Sequence, residues 1–449
     1  MQRTRRRLGG LLTLLLAAQL MGCASAPAQR KLTAEQRQLN VQSFDKVWET
    51  IRDTHFDPKL NGADWDGARV ELRPKVEAAE TMAAARAAMN EMIGRLNQTH
   101  FGVIPSEAYA DIDAEARGES ASRGDGGDLG FEVRVLDGAA IVTEVRPGPA
   151  MQADVRAGWE LVAIDNVKLR PILERIEKNM TEPRFKQSYL HGAVTNRLAT
   201  DADVEVKLTF LDASGKERKL ALTAVEPTGF KTKMGHMPTL HVRFDAKRLE
   251  GNIAYVSLSM WFDPANVMKQ LEQALTEMSD CRGFIIDMRG NPGGIGGMSM
   301  GWAGWFADSS GTQLGVMTTR NSELKFVVNP RPRPFKGPVA VLIDDLSMST
   351  SEIFAGGMKD IGRAKLFGVG TPGAALPSKI ERLPNGDRFQ YAFANYTSSS
   401  GLVLEGNGVK PDVEAPHTRD ALLSGKDNAI AAASEWILSQ PSGQAAAAQ

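Results

Sequence analysis

Apolar residues recur at helical spacing through the part of the chain that follows the N-terminal segment. Between about Gln36 and Leu96 the apolar positions fall three and four residues apart, in a stretch rich in Ala, Glu, Lys, Arg and Leu. The helical pattern stops near Thr99-His100, and an extended segment begins at Val103. The pattern therefore predicts a helical N-terminal region over residues 35–117.

Alternating apolar and polar positions follow residues 118–127, a polar and glycine-rich boundary. Residues 129–135 and 140–145 alternate with the period of two that is typical of strands, and a short helix is predicted before a further strand at residues 158–165. We therefore predict a β-rich module over residues 128–225.

The order of strand, strand, short helix and strand, with a Leu129-Gly130-Phe131 loop, is similar to a PDZ domain. The resemblance implies that the backbone amides of Leu129, Gly130 and Phe131 bind the free carboxylate of a substrate. The last residues of the substrate would then add to the sheet as an extra strand. A structural β-module without a ligand is the alternative.

Near-continuous apolar runs separated by helical segments follow Gly251. The apolar runs cover residues 253–258, 283–288 and 338–344, and a helix is predicted over residues 264–278. Such runs are typical of parallel strands covered by helices on both faces. We predict an α/β core over residues 235–418, followed by a C-terminal helix and a disordered tail over residues 419–449.

Length and charge narrow the class of protein. A chain of 449 residues exceeds the roughly 250–300 residues at which a single core stops growing, so several domains are expected. The formal net charge is −1, so the chain has no excess positive charge to attract a nucleic acid. We therefore expect no nucleic-acid partner.

The N-terminal segment predicts export from the cytoplasm. Arginines at positions 3 and 5–7 precede an apolar stretch, Leu8 to Leu20, that is short for a membrane span. We predict a signal peptide over residues 1–22 and a tether over residues 23–34. The ending Leu-Met-Gly-Cys resembles a lipoprotein signal site, which implies acylation of Cys23. By the same resemblance, Ala24 after the cysteine implies the outer membrane, on its periplasmic face. A plain cleaved signal and an uncleaved anchor are the alternatives.

Two segments carry candidate chemistry. Residues 287–294, Asp-Met-Arg-Gly-Asn-Pro-Gly-Gly, follow a buried strand, and their glycines leave backbone amides free to form an oxyanion hole. Residues 347–352, Ser-Met-Ser-Thr-Ser-Glu, lie between another buried strand and a helix predicted to end at Gly362. A serine at a helix N-terminus gains from amides that favour negative charge, although such serines are also ordinary helix caps.

These segments, with the β-module before them and Gly-Asn-Gly-Val-Lys-Pro-Asp at residues 406–412, occur in an order that resembles the C-terminal processing peptidases, family S41, and the related tricorn-type proteases. The resemblance covers roughly residues 90–415. It implies a ClpP/crotonase-like catalytic core, Ser349 as the nucleophile, and the amides of Gly293 and Thr350 as the oxyanion hole.

The general base departs from the Ser-Lys type of this family. That type carries a lysine in Thr-x-Gly-Lys-Gly, and here position 374 is alanine. A Ser-Lys mechanism would need Lys365 or Lys379 instead, and the spacing favours neither. The tricorn-like branch uses Ser-His-Glu, and His100 and Glu405 fit its histidine and its acid. His100 would take the Ser349 proton while the carboxylate orients the imidazole.

No cofactor is expected, because the chain has no P-loop, no HExxH motif and no paired Cys/His metal pattern. A Gly-x-Gly-x-x-Gly match at residues 368–373 is followed by no helical pattern, which disfavours a dinucleotide site. We predict a serine endopeptidase of the cell envelope that cleaves proteins or peptides, recognised near their C-termini, through an acyl-enzyme at Ser349. The alternative, favoured by Ala374, is an inactive peptidase scaffold that binds peptide C-termini or an apolar ligand.

Overall fold

The computed structural model describes residues 31–109, 126–180, 182–233 and 239–441. The predicted signal peptide, Cys23 and most of the predicted disordered tail lie outside the described residues. The helices are α1 (Ala34–Thr54), α2 (Trp65–Glu77), α3 (Met82–Gly94), α4 (Pro149–Gln152), α5 (Arg170–Lys178), α6 (Lys186–Leu198), α7 (Pro264–Glu277), α8 (Gly297–Ala303), α9 (Thr350–Asp360), α10 (Arg419–Leu423) and α11 (Asn428–Ser439).

Twenty strands accompany these helices in the described residues. They are β1 (Gly102–Ile104), β2 (Phe131–Leu136), β3 (Ala139–Val145), β4 (Glu160–Ile164), β5 (Val167–Lys168), β6 (Glu205–Leu211), β7 (Glu217–Thr223), β8 (Phe230–Thr232), β9 (Leu240–Val242), β10 (Phe244–Leu249), β11 (Ile253–Leu258), β12 (Phe284–Asp287), β13 (Gln313–Thr319), β14 (Glu323–Val327), β15 (Val339–Ile343), β16 (Lys365–Gly368), β17 (Ser378–Arg382), β18 (Arg388–Ala392), β19 (Ala394–Ser398) and β20 (Val413–Glu414).

The N-terminal region is helical, as predicted. Thr33 and Gln36 form a capping box that starts α1, because each side chain accepts a hydrogen bond from the backbone N–H of the other. The apolar faces of α1, α2 and α3 pack into one core, which also takes in Phe389 and Tyr391 of β18. The region ends in β1, which pairs antiparallel with β18 and so fixes residues 99–100 beside the α/β core.

The β-rich module is built on a sheet with the strand order β2-β3-β4-β6-β7. Its apolar side chains form a separate core with α5 and α6, which contribute Leu173 and Leu190 among others. Strand β2 is an edge strand of this sheet and lies beside α6. An edge strand presents unpaired backbone groups, so an extended peptide can add to it.

The α/β core has a six-stranded sheet in the order β10-β11-β12-β15-β16-β20, parallel from β11 to β20, with β10 antiparallel at one edge. Alternate side chains of the strands enter two different cores. One core contains residues of α7, α8 and α9, and the other contains residues of α11. The prediction of apolar parallel strands covered on both faces is confirmed.

Three further antiparallel sheets of the described residues, β1-β18-β17, β14-β13-β19 and the two-stranded β8-β9, were not predicted. No helix in the described part of the chain is both long enough and apolar enough to span a bilayer.

Candidate active site

Ser349 lies where the buried strand β15 turns into helix α9. The turn is fastened to the loop that follows β12, because Ser347 Oγ donates to the carbonyl oxygen of Met288 at 2.8 Å. Asp344 accepts hydrogen bonds from the amides of Gly290 (2.8 Å) and Leu346 (3.1 Å), so one carboxylate holds both loops. The loop predicted to stabilise an oxyanion and the turn with the predicted nucleophile are therefore one hydrogen-bonded unit.

The backbone of Ser349 is strained. Its φ is 56° and its ψ is −116°, whereas an ordinary N-cap residue is extended. Its N–H donates to Glu352 Oε2 (3.0 Å) and to the carbonyl oxygen of Ala374 (2.9 Å), which holds this conformation in place. A serine on a sharp, strained strand-to-helix turn is the arrangement that presents the nucleophile in α/β-hydrolases. This conformation favours the nucleophile over the simple helix cap.

Glu352 is a fully buried carboxylate that organises this turn. It accepts four hydrogen bonds, from the amides of Ser349, Gly373 and Ala374 and from the hydroxyl of Thr371, at 2.6 to 3.0 Å. Burial raises the pKa of Glu352 to about 7, and the four hydrogen bonds act in the opposite direction. Its side chain thus ties the first turn of α9 to residues 371–374. The sequence motif contained this glutamate, but its role was not predicted.

Gly293 packs directly against the turn that contains Ser349. A Cβ at this position would lie 2.6 Å from Ser349 Cβ and 3.1 Å from the amide nitrogen of Thr350, and φ is +99°, so glycine is required. The Gly293 N–H, however, donates to Asn291 Oδ1 at 3.0 Å. The structure therefore brings both predicted oxyanion donors, Gly293 and Thr350, beside Ser349, with one of the two amides engaged by a side chain.

His100 and Glu405 are joined through Thr99. The Thr99 hydroxyl lies 2.7 Å from His100 Nδ1 and donates to Glu405 Oε2 at 2.9 Å, and the Thr99 amide donates to Glu405 Oε1 at 2.9 Å. The predicted acid thus reaches the predicted base through an intervening hydroxyl rather than directly. Thr99 was noted only as the residue before the histidine, and its role as a link was missed.

The hydrogen-bond directions set the tautomer of His100. Burial raises the pKa of Glu405, but two amides and the Thr99 hydroxyl donate to its carboxylate, which favours the ionised form. An ionised carboxylate only accepts, so the single Thr99 hydroxyl proton points to Glu405 and Nδ1 of His100 must donate to Thr99. Nε2 then carries the lone pair. Burial lowers the pKa of His100 to about 4, so the ring is neutral at pH 7.

Glu405 and Ser349 are held against the same short stretch of chain. The carbonyl oxygen of Ala374 accepts from the Ser349 amide, and the amide of the next residue, Ala375, donates to Glu405 Oε2 at 3.2 Å. The Ala374 side chain, at the position of the lysine in Ser-Lys peptidases, is only 4% exposed. The structure thus gathers Ser349, Glu405 and, through Thr99, His100 around residues 374–375.

The two lysines considered as substitute bases are engaged elsewhere. Lys365 Nζ lies 5.7 Å from the ring of Trp436 on α11, and it also faces the ring of Phe367. Lys379 Nζ lies 4.9 Å from the ring of Phe393. These cation–π contacts hold both ammonium groups at aromatic rings. The structure offers neither lysine a contact with Ser349 among the described residues.

The predicted carboxylate loop of the β-module lines a cavity of about 240 Å³ that includes Leu129 and Phe131. The amide of Gly130 donates to Asp128 Oδ1 at 2.8 Å, so one of the three predicted carboxylate donors is already engaged. The module also contacts the predicted acid, because Arg184 Nη1 lies 3.9 Å from Glu405 Oε1 and donates to the carbonyl oxygen of Gly373 (3.1 Å).

Within the described ranges, no cluster of three or more His, Cys, Asp or Glu side chains could hold a metal ion. Cys281, the one cysteine in those ranges, is buried, and burial raises the pKa of its thiol to about 11. A thiol that stays protonated at neutral pH is a poor nucleophile.

Comparison with known proteins supports one family. Residues 252–415 match the model of peptidase family S41, and residues 38–94 match that of the tricorn protease C1 domain. The chain is 24% identical over 424 residues to the carboxyl-terminal-processing protease of Synechocystis sp., covering 92% of this chain and 89% of that protein.

Two solved structures have similar folds. The photosystem II D1 C-terminal processing protease aligns with a TM-score of 0.55 and 23% identity, over 87% of this chain and 95% of that chain. The tricorn protease aligns with a TM-score of 0.51 and 17% identity, over 89% of this chain and 37% of that chain. These likenesses confirm the predicted α/β fold class with its helical N-terminal region.

Proposed function

We propose a specific catalytic apparatus for this chain, which belongs to peptidase family S41 and is a serine-type peptidase. Ser349 is the nucleophile, His100 is the general base, and Thr99 and Glu405 orient the imidazole. The observation that carries the proposal is the Nδ1–Thr99–Glu405 chain of hydrogen bonds. It leaves the lone pair of His100 on Nε2, which is the atom that must accept a proton.

The reaction follows from these groups. Ser349 Oγ attacks the scissile carbonyl carbon while His100 Nε2 takes the hydroxyl proton, and the charge on the imidazolium is stabilised through Thr99 by Glu405. The oxyanion accepts from the Thr350 amide at the N-terminus of α9 and from the Gly293 amide, which first releases Asn291. His100 then protonates the leaving amine, and water hydrolyses the acyl-enzyme by the reverse proton transfers.

The substrate class in this proposal is a protein or peptide recognised near its C-terminus. Edge strand β2, helix α6 and the Leu129-Gly130-Phe131 loop support this, because they form the arrangement in which PDZ-like modules add a peptide as a strand. The non-catalytic alternative that Ala374 suggested gains no support, since the relatives are named as proteases.

We place the enzyme in the cell envelope, anchored to the outer membrane through lipidated Cys23. The supporting observation is the N-terminal sequence, in which arginines, an apolar stretch and Leu-Met-Gly-Cys occur in order. Cys23→Ser should move the protein from the membrane fraction to the soluble envelope fraction. Equal membrane association of both forms would exclude the anchor.

Cleavage of an unfolded protein such as casein tests the function. Ser349→Ala should abolish cleavage without changing the melting temperature, because it removes one half-buried hydroxyl oxygen. His100→Ala should be comparably inactive, since members of such a unit act together. Turnover retained by Ser349→Ala would reject Ser349 as the nucleophile. Full activity of His100→Ala would mean that a lysine is the general base.

A further inference from the structure

The cavity of the β-module combines an apolar floor with a wall of arginines paired to carboxylates, since Arg146 pairs with Asp128 and Arg146 and Arg243 both pair with Glu132. Its apolar lining residues include Leu129 and Phe131 from the loop and Leu198 from the end of α6. Arg146, Arg243 and His241 line it as well, and both ring nitrogens of His241 lack a hydrogen-bond partner among the described residues. Such a cavity suits a small apolar side chain next to a carboxylate.

The chain's own Asp128 carboxylate lies in this cavity. Its Oδ1 accepts from the Gly130 amide at 2.8 Å and from Arg146 Nη2 at 2.9 Å, and its Oδ2 lies 3.1 Å from the same Nη2. The backbone of Asp128 is fixed by two hydrogen bonds to Val225, at 2.8 and 3.0 Å. A loop amide and a guanidinium thus converge on one carboxylate.

The guanidinium of Arg146 is held between two carboxylates of its own module. Nη1 donates to Glu132 at 2.9 Å, which orients the guanidinium, and Nη2 is left for Asp128. Nε is buried and has no partner among the described residues, so the fork retains an unused donor. Arginine is suited to this role because its planar donors match both oxygens of a carboxylate.

Resting on the proposed binding of substrate C-termini, we propose that Arg146 anchors the terminal carboxylate of the substrate and that Asp128 is its internal substitute. When a peptide binds, its α-carboxylate takes over the Gly130 amide and the Arg146 guanidinium, and the Asp128 side chain moves out to solvent. The cavity therefore selects peptides with a free C-terminal carboxylate, and Asp128 weakens their binding by competition.

Competition between the Asp128 carboxylate and the peptide carboxylate should lower the affinity for the peptide by a measurable factor. Exchange of one carboxylate for another on the same donors leaves little net gain, whereas removal of the internal carboxylate leaves Nη2 of Arg146 for the peptide while Nη1 stays on Glu132. Asp128→Asn keeps the shape and the contact to Gly130 but loses the charge-assisted hydrogen bonds to Arg146. We expect it to tighten binding of a free-acid peptide by about tenfold. A C-terminally amidated peptide should bind equally weakly to both forms.

Fluorescence anisotropy with two labelled peptides tests this, in a Ser349→Ala background that prevents cleavage. The probes end in Val-Ala-Ala, one as the free acid and one as the amide. Asp154→Asn is the matched control, since Asp154 is an exposed acid of the same module outside the cavity. Arg146→Gln should weaken binding of the acid about tenfold and leave the amide unchanged. Melting temperatures check that each variant is folded.

The outcomes separate this inference from the proposed activity. Tighter acid binding in Asp128→Asn, with no gain for the amide or in the control, supports the inference whether or not the Ser349 enzyme cleaves casein. The inference is overturned if Asp128→Asn leaves the affinity for both peptides unchanged or changes both affinities equally. It is also overturned if the free-acid peptide binds neither the parent protein nor any variant. Neither of those results touches the assignment of Ser349, which the casein assay decides.

Discussion

The hydroxyl of Thr99 lies 2.7 Å from Nδ1 of His100, and this contact determines which ring nitrogen is free to act as a base. Because the same hydroxyl donates to Glu405, Nδ1 carries the proton and Nε2 carries the lone pair. In the proposed apparatus the acid orients the imidazole through an alcohol rather than directly. The histidine comes from the helical N-terminal region, far from Ser349 in sequence.

Thr99→Val should lower kcat about a hundredfold with little change in KM, because the near-isosteric valine removes the link that holds the tautomer. Thr99→Ser keeps the hydroxyl and should retain most of the activity. Steady-state kinetics with a fluorogenic peptide measure both. Wild-type kcat in Thr99→Val would show that the imidazole is oriented without Glu405.

The ionisation of His100 should be displaced to low pH. Burial lowers its pKa from 6.5 to about 4, so the ring resonances of His100 should not shift as the pH falls through 6.5 and should titrate near 4. Since the unfolded chain binds this proton first, His100 contributes a loss of stability as the pH falls from 6.5 towards 4. NMR titration, assigned with His100→Gln, measures the pKa. An ordinary value would mean that the ring is hydrated and not held as described.

Glu352→Gln should unfold the nucleophile turn. The amide NH2 of glutamine faces hydrogen-bond donors in place of an acceptor oxygen, which leaves buried donors unpaired and should cost about 3 kcal/mol of unfolding free energy. Casein cleavage should fall together with stability. Urea denaturation measures the effect, and the exposed Glu272→Gln serves as a control, with a change within about 0.5 kcal/mol. Equal stability of both variants would show that the four hydrogen bonds contribute little.

Lys365 and Lys379 should not contribute to catalysis. Lys365→Gln and Lys379→Gln remove ammonium groups that lie over aromatic rings, and each variant should keep kcat/KM within about twofold. The comparison uses the same fluorogenic peptide. A loss comparable to that of His100→Ala in either variant would identify a lysine base.

Much of the fold could be predicted from local pattern. The prediction for residues 253–258 matches β11, and the predicted helix at residues 264–278 matches α7 within one residue. These elements have unbroken periodicity, and their neighbours in sequence are their neighbours in space. The strained serine turn was also located, since small polar residues interrupt a buried strand just before an amphipathic helix.

The remainder depends on contacts between distant segments. Thr99 and Glu405 are 306 residues apart in sequence, and the paired strands β1 and β18 are similarly far apart. The local pattern of apolar residues therefore cannot predict either contact. The hydrogen bonds of Gly293 to Asn291 and of Gly130 to Asp128 are local, but a glycine-rich loop in a sequence does not reveal which amides its own side chains occupy. The link through Thr99 could have been suspected only from a hydroxyl next to the predicted histidine.

The most direct test of the central claim is labelling with a fluorophosphonate, followed by mass spectrometry of the adduct. An activated serine is required for this reaction, and the account predicts an adduct on Ser349 of the wild-type protein, none in Ser349→Ala, and greatly slowed labelling in His100→Ala. An unlabelled wild-type protein, an adduct on another residue, or unchanged labelling of His100→Ala would contradict it.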